Sequence, residues 1–307
     1  MTTSTTRRTL SAPIAGPVVF DLDMPHGQID VRVCDVARAE IGLTVLDPAG
    51  SPAGQAVAEA ALTAEVRVIT VRVPTPDGGV TVSRQRGGLI NVVGNVNSGI
   101  IVSGGSVTIS GATFGRGNHV TGLHVGAGIT QGVRAVVRLP QGSALRVRTK
   151  SADVATSGEL EWTQFTSVSG SLRLDACSKL NAASTSGDVS ADYADHAEVR
   201  TVSGDIRLGR TDSATAGSTS GDITIGDFGG SARLRTISGD IAVHATEPGH
   251  VTANSTSGDI RVTAPAELAA AGGEQGLTVD ARSLSGDVRT PRPLPGPPRP
   301  RRPRHRP

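Results

Sequence analysis

The chain has 307 residues, 30 Lys and Arg against 28 Asp and Glu, 39 Gly, and only 2% aromatic side chains. So little bulk excludes a large aromatic-rich globular core and favours many turns with thin packing of small residues. Six arginines fall in the closing stretch "PRPLPGPPRPRRPRHRP", leaving 24 basic against 28 acidic side chains elsewhere, so no long basic face is implied for the folded part.

In chain order, residues 1–16 read as a flexible N-terminus. Pro13, Gly16 and Pro17 interrupt what would have to be a continuous apolar segment in a secretory leader. No run approaches the roughly 18 apolar residues of a membrane helix. A cytoplasmic protein is the expectation, with surface association by a non-classical route left open.

Residues 17–84 hold "VVFDLDM", "GQIDVRV", "EIGLTVL", "EVRVITVRV" and "GVTVSRQ". These alternate as half-buried strands do, and "SPAGQAVAEAALTA" has room for one short helix between them. The reading is a small antiparallel β cap, which a stacked β structure needs because an open end exposes unpaired N–H and C=O groups. Residues 87–132 are Gly-rich with short Val/Ile pairs, giving irregular coils or an excursion. Residues 134–160 resemble degenerate first rungs of a repeat that begins in earnest near Ser169.

From there the repeat dominates. Ser-Gly-Asp recurs at Ser186, Ser203, Ser220, Ser238, Ser257 and Ser285, with Ser-Gly-Ser at Ser169; the steps are 17, 17, 17, 18, 19 and 28 residues. The last step contains "APAELAAAGGEQG", a loop or short helix inserted between two copies. After each turn comes a short alternating strand, such as Ile206 and Leu208 or Ile223 and Ile225. Strands this short bury their apolar side only by stacking coil on coil. The fold class expected is all-β: a β-solenoid of stacked parallel β coils with Ser-Gly-Asp turns over 85–290, the small β cap at 17–84, and a disordered Pro/Arg-rich tail at 291–307. A sandwich or propeller of similar hairpins is the alternative. The turn glycines are expected at positive φ.

A second layer sits inside the first. The residue before each Ser-Gly runs Val168, Thr185, Val202, Thr219, Ile237, Thr256, Leu284, alternating apolar with Thr. Four residues before the Ser, the Thr-type copies carry Ala182, Ala216 and Ala253; the others carry Phe165, Val199, Leu234 and Ala281. The expectation is a unit of about 34 to 37 residues with two unlike halves on opposed faces. Each half would stack on its own kind, which makes Asp205 a neighbour of Asp240 and Asp222 a neighbour of Asp259.

The strongest chemical feature is the column Asp188, Asp205, Asp222, Asp240, Asp259 and Asp287. Carboxylates about 4.8 Å apart repel by about 1 kcal/mol in water. Each must therefore cap turn N–H groups or share a cation, and calcium suits oxygen ligands. A second array, around Ser184, Ser218 and Ser255, offers hydroxyl rows for a glycan, ice or protein, or internal hydrogen bonds at the corners. Neither array supplies a catalytic residue or a cofactor site. Cys34 and Cys177 match no ligand or redox spacing and read as two buried free thiols. There is no Gly-x-Ser-x-Gly elbow. A carbohydrate-cleaving solenoid wants paired carboxylates and exposed aromatics, whereas Trp162, Tyr193 and four Phe show no cluster.

The repeated [Thr/Ser]-x-Ser-Gly-Asp-[Ile/Val]-x-[Val/Leu] units, after a stretch like "HGQIDVRV", resemble a large bacterial domain-of-unknown-function family. Its members are β-strand-repeat proteins catalogued as putative adhesins and common in actinobacteria. The resemblance covers roughly residues 17–290 and implies a fold, with no agreed catalytic residues. The function expected is a non-enzymatic binding or scaffold module with an unidentified protein or glycan partner. The alternatives are a polysaccharide-active β-helix enzyme, or an intracellular regulator whose basic tail contacts nucleic acid or an anionic surface.

Overall fold

The computed structural model describes residues 7–45, 52–74, 133–271 and 275–291, together with the backbone of five short strands between 81 and 114. The chain begins with β1 (Arg7–Ala15), β2 (Val19–Asp23), β3 (Gly27–Val33), β4 (Arg38–Val45), helix α1 (Pro52–Glu59), β5 (Ala61–Glu65) and β6 (Val68–Arg72). The stretch expected to be a flexible N-terminus thus holds a strand, β1, paired antiparallel with β4. The expected cap is only partly antiparallel. β2 lies parallel to β6, and β3 is already a member of the parallel stack.

The next strands are β7 (Thr81–Arg84), β8 (Ile90–Val93), β9 (Ile100–Ser103), β10 (Ser106–Ile109) and β11 (Ala112–Phe114). They pair antiparallel in two small separate sheets, β7 with β8 and β10 with both β9 and β11. None of these five strands pairs with the parallel stack, and the residues between them lie outside the described ones.

Coils resume with β12 (Val133–Leu139), β13 (Ala144–Arg148), β14 (Asp153–Ser157) and β15 (Glu159–Thr166). Long strands come next: β16 (Leu172–Ala183), β17 (Val189–Arg200), β18 (Ile206–Gly217), β19 (Ile223–Arg235) and β20 (Ile241–Ser255). The chain then closes with β21 (Ile260–Thr263), helix α2 (Ala266–Ala270), β22 (Leu277–Ser283) and β23 (Val288–Arg289). Helix α2 is the insertion anticipated in the 28-residue step.

Pairing from β15 to β23 is parallel throughout, and the partner of each residue is one repeat away: Val189 faces Ile206, and Ile206 faces Ile223. One coil therefore takes a single repeat of about 17 residues, not 34. Each long strand runs up one sheet, bends near its middle, and returns along a second sheet. In β17 the buried positions are Val189 and Ala191 before the bend, Ala194 at it, and Ala197 and Val199 after it. The Ser-Gly-Asp turn then closes the coil. The first sheet continues through β14, β3, β12 and β4 to β1, and the second through β13, β2 and β6 to β5.

The expectation of two unlike halves on opposed faces is corrected by this register. The alternation belongs to one column, because Phe165, Ala182, Val199, Ala216, Leu234 and Ala253 lie directly above one another and are all buried. Rung spacing alone does not impose this alternation, since the column Leu172, Val189, Ile206, Ile223, Ile241 and Ile260 is bulky and buried in every rung. In the alternating column a large side chain in one rung fills the space left over the Ala of the next.

The N-terminal end is closed by the antiparallel strands β1, β4 and β5 and by α1, which packs on β4 and β1 with Ala53, Ala56 and Val57 buried. Stacking stops there because the outermost strands run the wrong way to template another parallel coil, and a helix covers the core.

Candidate binding surfaces

The turns are built from three columns that share one corner. First comes a buried hydroxyl. Ser167, Ser184, Thr201, Ser218, Thr236 and Ser255 each accept a hydrogen bond from the backbone N–H of the glycine three residues on, at 2.7–3.1 Å. Ser184, Ser218 and Ser255 are only 8–9% exposed, so they are internal turn caps rather than a surface array. An unpaired buried N–H is costly, which explains why only Ser or Thr stands here.

Glycine comes next. Among the described residues the Ser-Gly-Asp glycines do not have positive φ; that conformation belongs to Gly16, Gly27, Gly142, Gly158 and Gly230. The repeat glycines are required by close approach. A Cβ on Gly187, Gly204, Gly221 or Gly239 would overlap the carbonyl of the matching glycine in the preceding rung.

Aspartate is third. Its Oδ1 accepts from the backbone N–H of the aspartate in the following rung: Asp205 to Asp188, Asp222 to Asp205, Asp240 to Asp222, Asp259 to Asp240 and Asp287 to Asp259, at 2.7–3.0 Å. All six aspartates thus form one ladder, and Asp205 neighbours Asp222, not Asp240. A charge-assisted bond in every gap offsets the repulsion between carboxylates. Arginine adds to this at two rungs, with Arg207 2.8 Å from Asp205 and Arg289 3.5 Å from Asp287. Among the described residues no group of three or more His, Cys, Asp or Glu is arranged to hold a metal ion.

What the corner presents outward is the alternating column. Ser186 N–H bonds Val168 C=O, Ser203 bonds Thr185, Ser220 bonds Val202, Ser238 bonds Thr219, Ser257 bonds Ile237 and Ser285 bonds Thr256, at 2.8–3.0 Å. Val168, Thr185, Val202, Thr219, Ile237, Thr256 and Leu284 are therefore one ridge of seven rungs, about 29 Å long. The apolar members stand 54%, 47%, 45% and 81% exposed, and a row of exposed serines runs beside them. Isolated exposed apolar residues need no explanation, whereas an ordered row of four does.

The opposite end of the coil is acidic, with Asp192, Asp195, Asp212, Asp227 and Glu247 at or near the bends; Tyr193 donates to Asp195 at 2.6 Å, and Arg210 lies 3.1 Å from Glu247. The outer face of the second sheet has the contrary sign. It carries Arg146, Lys179, Arg200, Arg233, Arg235 and Arg282, of which Arg146, Arg200 and Arg282 are paired with Asp21, Glu198 and Asp280.

That second face holds a groove of about 440 Å³ over Trp162, Gln164, Lys179, Asn181, His196 and Glu198. One end is rigidly built. Asp21, nearly buried, takes two 2.8 Å bonds from Arg148 and lies 3.7 Å from Arg146. Arg146 in turn donates to Gln164 at 2.9 Å, and its guanidinium sits 5.6 Å from the Trp162 ring centroid. A second cleft of about 560 Å³, at the C-terminal ends of β2, β6 and β13, mixes Asp23 and Glu59 with Arg72, Arg148 and Lys150. Beside it, His26 contacts Ser151 at 2.7 Å, and burial, then nearby Lys150, lowers its pKa.

Of the two thiols expected to be buried, Cys177 is and Cys34 is half-exposed. Burial pushes the Cys177 thiol up to about 12.

The family description Toastrack DUF4097 matches residues 62–218 and 94–295. This chain belongs to the Toastrack DUF4097 family. Among solved structures it is similar to a putative adhesin from Parabacteroides distasonis, at 13% identity over 94% of this chain and 97% of that one, TM-score 0.48. A putative adhesin from Bacteroides fragilis matches at 12% identity over 92% and 97%, TM-score 0.43. One from Parabacteroides merdae matches at 10% over 93% and 95%, TM-score 0.41. No curated protein matches the sequence.

Proposed function

We propose that this Toastrack chain is a non-enzymatic, adhesin-like binding module that presents rung-spaced ladders to a protein or glycan partner. The observation that carries the reading is the exposed ridge from Val168 to Leu284, held to one spacing by backbone bonds in every rung. A surface this regular suits a ligand that is itself repetitive, and its rigidity lowers the ordering cost of binding.

The enzyme alternative meets a chemical obstacle in the Trp162 groove. Glycoside hydrolysis by its usual route uses two carboxylates flanking the bond. Glu198 is the one carboxylate lining this groove, and Arg200 holds it at 2.7 Å.

The remaining proposals concern segments and compartment. The Pro/Arg-rich tail lies outside the described residues beyond 291; it is proposed as a salt-sensitive contact for nucleic acid or an anionic surface. No helix among the described residues is long and apolar enough to cross a membrane. Cytoplasmic placement stays a proposal that cell fractionation tests.

The deciding experiment incubates the chain with a panel of immobilised glycans and surface-protein fractions while assaying for new reducing ends. Retention without turnover, weakened in the folded double variant Val202→Asp/Ile237→Asp, supports a binding module. Turnover by the wild-type chain that Glu198→Gln abolishes overturns it.

A further inference from the structure

We infer that the groove over Trp162 binds a linear acidic polysaccharide lying along the solenoid axis, on the outer face of the second sheet. The inference rests on the binding-module reading and adds a site on a different surface from the ridge.

Register assembles the site from residues that share no motif. Trp162 is followed rung by rung by Lys179, His196 and Ser213, and Gln164 by Asn181, Glu198 and Thr215. A chain laid along the axis would therefore meet a polar group from each of two columns about every 4.8 Å.

The chemistry of those groups favours a hydroxyl-rich ligand. The carbonyl of Gln164 accepts from Arg146, which leaves its NH2 to donate outward. Asn181 is exposed and brings both a donor and an acceptor. Ser213 and Thr215 add hydroxyls that serve as either. The indole of Trp162 is half-buried and fixed through Arg146 and the nearly buried Asp21, so the apolar platform exists before any ligand arrives. Sugars pair hydroxyl edges with apolar C–H faces, which matches amides beside an indole. A single-stranded nucleic acid would need several aromatic platforms for successive bases, and this groove offers one.

Charge selects the acidic class. Lys179, Arg233 and Arg235 have no ion-pair partner among the described residues. They lie on the same face, with Lys179 about 14 Å along the axis from Arg233. Two carboxylates share the column of Arg233, Glu198 and Asp280, each two rungs away, and each is paired with an arginine, Arg200 and Arg282. A polymer with a carboxylate on each sugar can meet Lys179 at the groove and the two arginines beyond it.

The chain contains one Trp, so its fluorescence reports on this groove alone. The test titrates the full chain with oligogalacturonates, with neutral cello-oligosaccharides, and with single-stranded DNA. Oligogalacturonates should give a saturable emission change that weakens with salt. Asn181→Ala or Lys179→Ala should each reduce apparent affinity about tenfold, while cello-oligosaccharides bind more weakly and Arg173→Ala, exposed on the outer face of the first sheet, leaves the titration unchanged. No emission change with oligogalacturonates overturns the proposal, as does an equal response to DNA. A response abolished by the ridge variant and untouched by Asn181→Ala also overturns the groove assignment, yet leaves the binding-module reading standing.

Discussion

Replacing Gly204 by Ala puts a methyl against the carbonyl of Gly187 in the rung before it. Backbone on both sides of the clash cannot swing away as a side chain tip would, so the two rungs must part locally. The bonds nearest the strain are Ser203 N–H to Thr185 C=O at 2.8 Å and Asp205 N–H to Asp188 Oδ1 at 2.9 Å. Overpacking costs about 1–3 kcal/mol, and each weakened bond adds about 1 kcal/mol. The sum is about 3–5 kcal/mol, or roughly 10 °C in Tm for a chain of this size. Gly217, in the same coil, is the internal control. A Cβ there comes no closer than 3.8 Å to the Arg235 carbonyl oxygen, so Gly217→Ala should stay within about 0.5 kcal/mol of the parent or stabilise it slightly. Thermal and urea unfolding of the two variants side by side measures the difference. Equal stabilities would refute close rung contact as the reason for the repeat glycine.

Three further outcomes come from the same corner and core. Asp222→Asn keeps the oxygen that accepts from Asp240 N–H and should change stability by less than about 0.5 kcal/mol, whereas Asp222→Ala should cost about 1–2 kcal/mol. EDTA should leave the Tm unchanged; a fall in Tm together with a damaging Asp222→Asn would point to bridging cations instead. Ser184→Ala strands the buried Gly187 N–H and should cost about 1–3 kcal/mol by urea unfolding. Because burial raises the Cys177 pKa from 9.0 to about 12, the unfolded chain loses this proton first as pH rises. The stability tied to Cys177 is therefore fully present below pH 9 and is lost between 9 and about 12. Wild type should lose more stability than Cys177→Ala over that window, and a thiol reagent should label Cys34 in the folded protein but not Cys177.

Much of the fold was legible because the repeat encodes it. The 17-residue step, the strand alternation at Ile206/Leu208 and Ile223/Ile225, and the insertion beginning at Ala264 lead directly to stacked coils. The coil's size was not legible from alternation alone. Phe165, Ala182 and Val199 carry the same large–small rhythm whether they face one another across a core or stack along its axis, and only backbone pairing separates the two. Glycine misled in a similar way. A repeated turn glycine suggests left-handed φ, while here the missing Cβ matters because Gly187 and Gly204 lie carbonyl to Cα.

The candidate sites divide along the same line. Asp188 to Asp287 and Ser184, Ser218 and Ser255 stood out because one residue type recurs at a fixed step, and both columns turned out to hold turns together. The groove over Trp162 was not legible in the sequence because Gln164, Asn181 and Glu198 differ in type, although they stand 17 residues apart. Folding the sequence on its own period would have placed them in one column.

The arrangement of consecutive turns into one exposed ridge is tested most directly by paired cysteines in a Cys34→Ser background. In adjacent rungs the Cα atoms of residues 202 and 219 lie about 4.8 Å apart, inside the roughly 4.4–6.8 Å range that a disulfide spans. Residues 202 and 237 are two rungs apart, at about 9.6 Å, and lie outside it. Oxidation should close Val202→Cys with Thr219→Cys within one chain and leave Val202→Cys with Ile237→Cys open. Efficient closure of the second pair and none of the first would contradict the one-coil repeat and remove the ridge on which the binding proposal stands.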